Sequence, residues 1–211
     1  MKKVELLYPT PLFTDHLKNY FNNYEKFVQY LIQCLNNEEW RLNEGLDQTK
    51  DSLLNEKSEY SDLVNILHEI IDSIKNEFEF DTERFLINQM WANKSKINDS
   101  HPGHHHPNSF FSGIVYLTDG SPTYFNDPVL FRVSSQLKVH SNFDKELFKF
   151  NPNPGQILIF PSWLYHGTEP NTNQERISIS FNTFPEGKTN FKYPFNNLSQ
   201  LNVYKKEKNN G

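Results

Sequence analysis

Four of the eight histidines in this chain of 211 residues crowd into one short stretch, His101-Pro-Gly-His104-His105-His106-Pro107. It stands directly before a strand-like run, Phe110-Phe-Ser-Gly-Ile-Val-Tyr-Leu117. Side chains two apart on an extended segment share a face, so His104 and His106 can converge on one ion while His105 points away. Imidazole suits iron, zinc, copper and nickel, so the cluster implies a metal without naming it. The plain alternative is a solvated histidine-rich loop.

A second signal lies in Pro154-Gly-Gln-Ile-Leu-Ile-Phe-Pro-Ser-Trp-Leu-Tyr-His166, an apolar strand that runs through Pro161 into a turn presenting one histidine. His166 can supply a third ligand. Ten residues later begins Arg176-Ile-Ser-Ile-Ser-Phe-Asn182, whose alternation separates Ile177, Ile179 and Phe181 from Arg176, Ser178 and Ser180. If the polar face lines a pocket, Arg176 is a fixed cation whose fork matches a carboxylate, with the Ser178 hydroxyl beside it. If it does not, Arg176 is a surface residue on a half-exposed sheet.

These residues need a scaffold. Leu17, Tyr20, Phe21, Tyr24, Phe27, Val28, Leu31, Ile32 and Leu35 recur at helical spacing. A second helix carries Leu63, Ile66, Leu67, Ile70, Ile71, Ile74 and Phe78, with Ser61 as its expected N-cap. The polar link from Asn43 to Glu59 has no assigned element. After Phe80 the period falls to two, and short aromatic and β-branched runs alternate with Pro, Gly, Asn and Asp. The expected strands are 84–91, 110–117, 123–125, 130–133, 156–160 and 176–184. Helices followed by short strands predict an α+β fold in which N-terminal helices buttress a β-sandwich or barrel. One domain is expected, with strand and helical support over residues 1–80, a core over 81–185 and a fraying extension over 186–211.

The formal net charge is -5 and the aromatic content 15%. That is enough apolar material for a core despite a mean hydropathy of -0.72, and the negative charge argues against a protein that neutralises phosphates over a wide surface, so no nucleic-acid partner is expected. The single cysteine, Cys34, sits on a helical stripe and is expected to be a buried structural thiol in a reducing compartment. No run approaches the roughly 20 apolar residues of a membrane span, so the expectation is a cytoplasmic protein, its oligomeric state open.

The order of His-x-His, a distal His and an Arg ten residues beyond resembles the iron(II)/2-oxoglutarate-dependent oxygenase superfamily. More narrowly, four stretches are similar to an oxygenase subfamily of bacteria and phages: His104-x-His106-Pro107 with Ser112-Gly-Ile-Val-Tyr-Leu117, Phe125-Asn-Asp-Pro128, Phe160-Pro-Ser-Trp-Leu-Tyr-His166 and Arg176-Ile-Ser-Ile-Ser-Phe-Asn182. The opening Leu7-Tyr-Pro-Thr-Pro-Leu-Phe13 also resembles how those chains begin. The likeness covers Leu86 to Asn182.

That resemblance implies a double-stranded β-helix, the jelly roll or cupin-like barrel, holding Fe(II) through His104, His106 and His166. It also implies 2-oxoglutarate bound to the metal, with its distal carboxylate on Arg176 and secondarily Ser178. Tyr116 is a further candidate to hydrogen-bond this cosubstrate. The reaction implied is hydroxylation of an unidentified prime substrate by O2, coupled to decarboxylation of 2-oxoglutarate to succinate. One departure stands out, because the superfamily's usual set is two histidines and a carboxylate. Asp99 and Asp127 are candidate carboxylates, and His101 is an alternative ligand. Two rival readings are a metal-binding jelly roll without oxygenase activity and a three-histidine cupin dioxygenase that does not use 2-oxoglutarate. Trp91 and Trp163 are expected as wall or core, and one of Asn88 and Gln89 as a pocket residue. His16, His68 and His140 are expected to have no ligand role.

Overall fold

The computed structural model describes residues 9–128 and 147–187. A short strand β1 (Phe13–His16) leads into a 3-10 turn over Leu17–Asn19, where the His16 ring accepts from the Lys18 amide at 3.0 Å. Helix α1 (Tyr24–Leu35) starts only after Asn23, whose side chain accepts from the Lys26 amide. The helix expected from Leu17 onward is therefore split, because Asn23 caps the later segment. Cys34 is half-buried, at the edge of a stripe whose deepest members are Leu31 and Leu35.

The link from Asn43 to Glu59 has structure that the sequence reading left unassigned. Strands β2 (Trp40–Asn43) and β3 (Leu46–Thr49) pair as a hairpin. The tip residues Glu44 and Gly45 have φ of 46° and 95°, the left-handed pair that a two-residue hairpin turn requires. Two 3-10 turns, Leu54–Glu56 and Ser58–Tyr60, then lead into α2 (Ser61–Glu77). Ser61 is inside that helix and not its cap; Tyr60 holds the cap position with no capping bond from its side chain, whose hydroxyl donates to Glu38 at 3.3 Å instead. Phe78 falls past the helix end and is 48% exposed, edge-on to Phe13.

The remaining strands are β4 (Arg84–Lys96), β5 (Phe111–Tyr116), β6 (Thr123–Asn126), β7 (Leu147–Phe150), β8 (Gln156–Pro161), β9 (His166–Thr168) and β10 (Glu175–Glu186). The expected strand over 130–133 lies outside the described residues, as does the C-terminal extension beyond Gly187. Among the described residues a seven-stranded antiparallel sheet runs β1-β8-β5-β10-β4-β3-β2, and a three-stranded one runs β7-β6-β9.

Alternation along each strand decides what the sheets bury. Ile177, Ile179 and Phe181 join Phe111, Val115, Ile157 and Ile159 in a core with Leu31, Leu35, Leu63, Leu67 and Ile71 of the helices. The opposite face contributes Ile114, Tyr116, Leu158 and Phe160 to a second core with Phe125 and Leu164. Helices thus cover one face of the large sheet and the small sheet covers the other, an α+β double-stranded β-helix as the sequence implied. Between Asn182 and Thr183 the β10–β4 register slips by one, leaving Asn88 without a partner opposite it. This bulge re-aims β4, so that Trp91, Asn93 and Ser95 stand opposite Ser180, Ser178 and Arg176. Among the described residues no helix is long and apolar enough to cross a membrane.

Candidate metal and cosubstrate site

His104, His106 and His166 each offer a ring nitrogen within 4.8 Å of the other two. No other group of three metal-ligating side chains occurs among the described residues. The turn after Pro161 presents His166 as the first residue of β9, and His104 pairs with it as an isolated antiparallel bridge. The His106 amide donates to the Ser162 carbonyl at 3.0 Å, so both histidines of the His-x-His segment lean on the β8–β9 connection. His105, between them, is exposed, as the alternation requires.

Hydrogen bonds fix which nitrogens are available. His104 Nδ1 lies 2.9 Å from the Pro102 carbonyl and His166 Nδ1 lies 2.8 Å from the Leu164 carbonyl. A carbonyl can only accept, so each Nδ1 carries the proton and each Nε2 keeps its lone pair for a metal. Burial, reinforced by the neighbouring imidazoles, pushes His106 down to about 4 and His166 to about 3, so both are neutral at physiological pH. Neutral imidazole is the form that ligates.

Neither Asp99 nor Asp127 belongs to the cluster. Asp99 instead accepts from the Lys96 amide at 2.7 Å in a local turn. His101 flanks the cluster, with its ring centroid 4.2 Å from that of His104 and its Nε2 3.5 Å from the Glu44 carboxylate at the hairpin tip. Burial holds it at about 4. His16 serves its turn, and His68 accepts from the Ile87 amide at 3.3 Å, joining α2 to β4. His140 lies outside the described residues.

The same cavity reaches Arg176. Its lining includes the three histidines, Trp91, Asn93, Thr123, Arg176, Ser178 and Ser180. Arg176 is 2% exposed, so it is not a surface residue. Its Nη2 donates to Thr123 Oγ1 at a long 3.4 Å, its guanidinium sits 5.4 Å from the Tyr116 ring centroid, and its Nε has no partner among the described residues. No described carboxylate forms an ion pair with it, and burial lowers its pKa. A buried cation with an orphaned donor calls for an anionic ligand. Ser178 is buried next to Arg176 on the same face. Tyr116 is fully buried and does not line the cavity; its hydroxyl bonds to Thr123 Oγ1 at 2.7 Å, behind the wall.

Asn88, the bulged residue, and Gln89, which accepts from Asn182 Nδ2 at 3.1 Å, are both exposed and outside the cavity lining, and the polar pocket residue of β4 is Asn93. Asn93 donates to Ser180 Oγ at 2.9 Å and accepts from Gln48 at 3.3 Å. Trp91 does line the cavity, with its ring 5.7 Å from His106, whereas Trp163 is 57% exposed and forms no part of the wall. Sequence reading missed Asn93 and Thr123. The alternation that sets Arg176 and Ser178 inward also sets Ser180 there, as expected, and a bulge in β4 is the signal that would have found Asn93.

Residues 89–182 match the family model described as "Putative 2OG-Fe(II) oxygenase". No curated protein sequence matches the chain. Among solved structures, a prolyl-4-hydroxylase of Pseudomonas putida is similar at a TM-score of 0.61 and 11% identity, over 84% of this chain and 94% of that one. HygX of Streptomyces hygroscopicus, solved with nickel and 2-oxoglutarate bound, gives a TM-score of 0.59 at 12% identity over 87% and 86%. An oxidoreductase of the 2OG-Fe(II) oxygenase family from Burkholderia pseudomallei gives 0.55 at 13% over 74% and 76%. The family match runs from within β4 to the middle of β10 and spans all three clustered histidines and Arg176, so over this core the chain is similar to the iron(II)/2-oxoglutarate-dependent oxygenases.

Proposed function

We propose that this protein is a hydroxylase that uses Fe(II), O2 and 2-oxoglutarate to oxidise an organic substrate, releasing succinate and CO2. One observation carries the reading: three convergent histidines share a cavity with a buried arginine that no described carboxylate pairs. His104, His106 and His166 would hold the iron, and Arg176, with Thr123 and Ser178, would hold the distal carboxylate of 2-oxoglutarate. Iron with 2-oxoglutarate supplies the redox chemistry on O2.

The chain's own part is positioning and electrostatics. The Pro102 and Leu164 carbonyls orient two ligand rings before any ion arrives. Tyr116 acts through Thr123 and Arg176, with its hydroxyl on the first and its ring beside the second. Three imidazoles holding the metal would leave its double charge uncompensated, and a dianionic cosubstrate would neutralise it in place of a protein carboxylate. Arg176 weighs against a three-histidine dioxygenase that works without 2-oxoglutarate, because that chemistry assigns it no role. The prime substrate meets the uncharged wall of Trp91 and Asn93, and a reducing cytoplasm suits both an Fe(II) centre and a lone thiol.

The test is turnover: Fe(II)-loaded protein incubated with 2-oxoglutarate and O2 should form succinate and CO2, slowly without a prime substrate and faster with one. Binding of metal without any succinate under either condition would favour the non-oxygenase reading.

A further inference from the structure

We propose that Gly120 sets the reach of Arg176 and thereby selects the chain length of the dicarboxylate cosubstrate, a role that rests on the oxygenase reading above. Gly120 lies in the loop between β5 and β6, against the aliphatic stem of Arg176. A Cβ at position 120 would stand 2.6 Å from both Cγ and Cδ of Arg176 and 2.8 Å from its Cβ. Non-bonded carbons settle about 3.5–4.0 Å apart, so a single methyl cannot be added without movement. The φ of Gly120 is not in the left-handed region, so the close approach, not the backbone conformation, is what calls for glycine here.

Neither side yields easily. Arg176 is paired with Ser95 across β4, and the next residue is fastened to the loop itself. The Ile177 amide donates to Thr118 Oγ1 at 2.8 Å, and the Ile177 carbonyl accepts from the Leu117 and Thr118 amides at 3.0 and 3.3 Å. On the far side of Gly120, Ser121 Oγ donates to the Pro170 carbonyl at 2.6 Å. The stem is therefore clasped while the head is held loosely, by one long hydrogen bond and the Tyr116 ring, with Nε left over. How far the guanidinium extends toward the histidine cluster follows from where the stem rests. A ligand anchored at the metal by one end and at Arg176 by the other must match that span.

Isothermal titration of the Mn(II)-loaded full-length protein under argon tests this with three 2-oxo diacids: oxaloacetate, 2-oxoglutarate and 2-oxoadipate, of four, five and six carbons. Wild type should prefer 2-oxoglutarate. Gly120→Ala should weaken 2-oxoglutarate roughly ten- to hundredfold, the range that overpacking a filled site costs. It should weaken at least one homologue less, while Mn(II) affinity stays as in wild type. Equal loss for all three acids, or no loss, would overturn the role of Gly120 alone. Wild type that binds none of the three would overturn the cosubstrate reading as well. Should Gly120→Ala fail to fold, Ser121→Ala removes the loop's anchor without adding bulk and should narrow the discrimination; unchanged discrimination would overturn the proposal.

Discussion

The backbones of His104 and His166 exchange hydrogen bonds, His104 N to His166 O at 2.8 Å and His166 N to His104 O at 2.9 Å, with ring centroids 4.5 Å apart. This closed pair joins the His-x-His segment to β9 before any metal binds, although 62 positions separate the two residues. Such ligands meet only in the folded chain, so a bound metal stabilises the folded state by mass action. One equivalent of Fe(II) or Mn(II) per chain should raise the melting temperature, and His166→Ala should abolish the rise. Scanning calorimetry with and without metal checks it; a full shift in the variant would remove His166 from the ligand set.

His105 and His106 differ in what surrounds them, not in chemistry. His106 is part of the cluster and packs against Trp91, while His105 is exposed. His106→Ala is therefore expected to weaken Mn(II) binding at least tenfold, about 1.4 kcal/mol, and His105→Ala to leave it near wild type. Titration by electron paramagnetic resonance of free Mn(II) reads both. A larger effect at His105 would move the ligand assignment by one residue.

Arg176 should separate metal from cosubstrate. Removing one partner of a buried charge pair costs about 2–5 kcal/mol, so Arg176→Ala should lose nearly all affinity for 2-oxoglutarate while Mn(II) binding persists. Arg176→Lys restores charge without the fork and should keep part of it. Calorimetric titration with 2-oxoglutarate measures both variants; unchanged affinity in Arg176→Ala would remove β10 from the cosubstrate site.

Acid should destabilise the metal-free protein through these same imidazoles. The ordinary histidine pKa of 6.5 falls to about 4 at His106 and about 3 at His166 on folding, chiefly by burial. Below 6.5 the unfolded chain takes up protons that the folded chain refuses, so their contribution is full above 6.5 and declines steadily as the pH falls toward 4. His166→Ala should melt with a shallower pH dependence than wild type across that window. Parallel slopes in the two proteins would show that His166 does not titrate as its burial demands.

Periodicity carried much of this architecture in the sequence. The β10 alternation that set Ile177, Ile179 and Phe181 against Arg176, Ser178 and Ser180 is the division between the helix-facing core and the cavity. Residues two apart kept His104 and His106 together. What periodicity could not supply was the effect of single irregular residues. The bulge at Asn88 reverses which face of β4 looks inward, exposing Asn88 and Gln89 and admitting Asn93. The β2–β3 hairpin was hidden because its four-residue strands are largely polar, and only Glu44-Gly45 marked the turn. Thr123 gave no local sign, since its role comes from Tyr116 and Arg176 meeting it across the barrel.

The central claim is that the histidine cluster and Arg176 serve one metal with one cosubstrate, and anaerobic spectroscopy addresses it most directly. Fe(II) added to the metal-free protein under argon and then titrated with 2-oxoglutarate should give a weak metal-to-ligand charge-transfer band that saturates at one equivalent. Succinate, which lacks the 2-oxo group, should give none. Saturation of that band in wild type and its loss in His166→Ala is the predicted result. An Fe(II)-loaded wild type that shows no band at saturating 2-oxoglutarate would contradict the account.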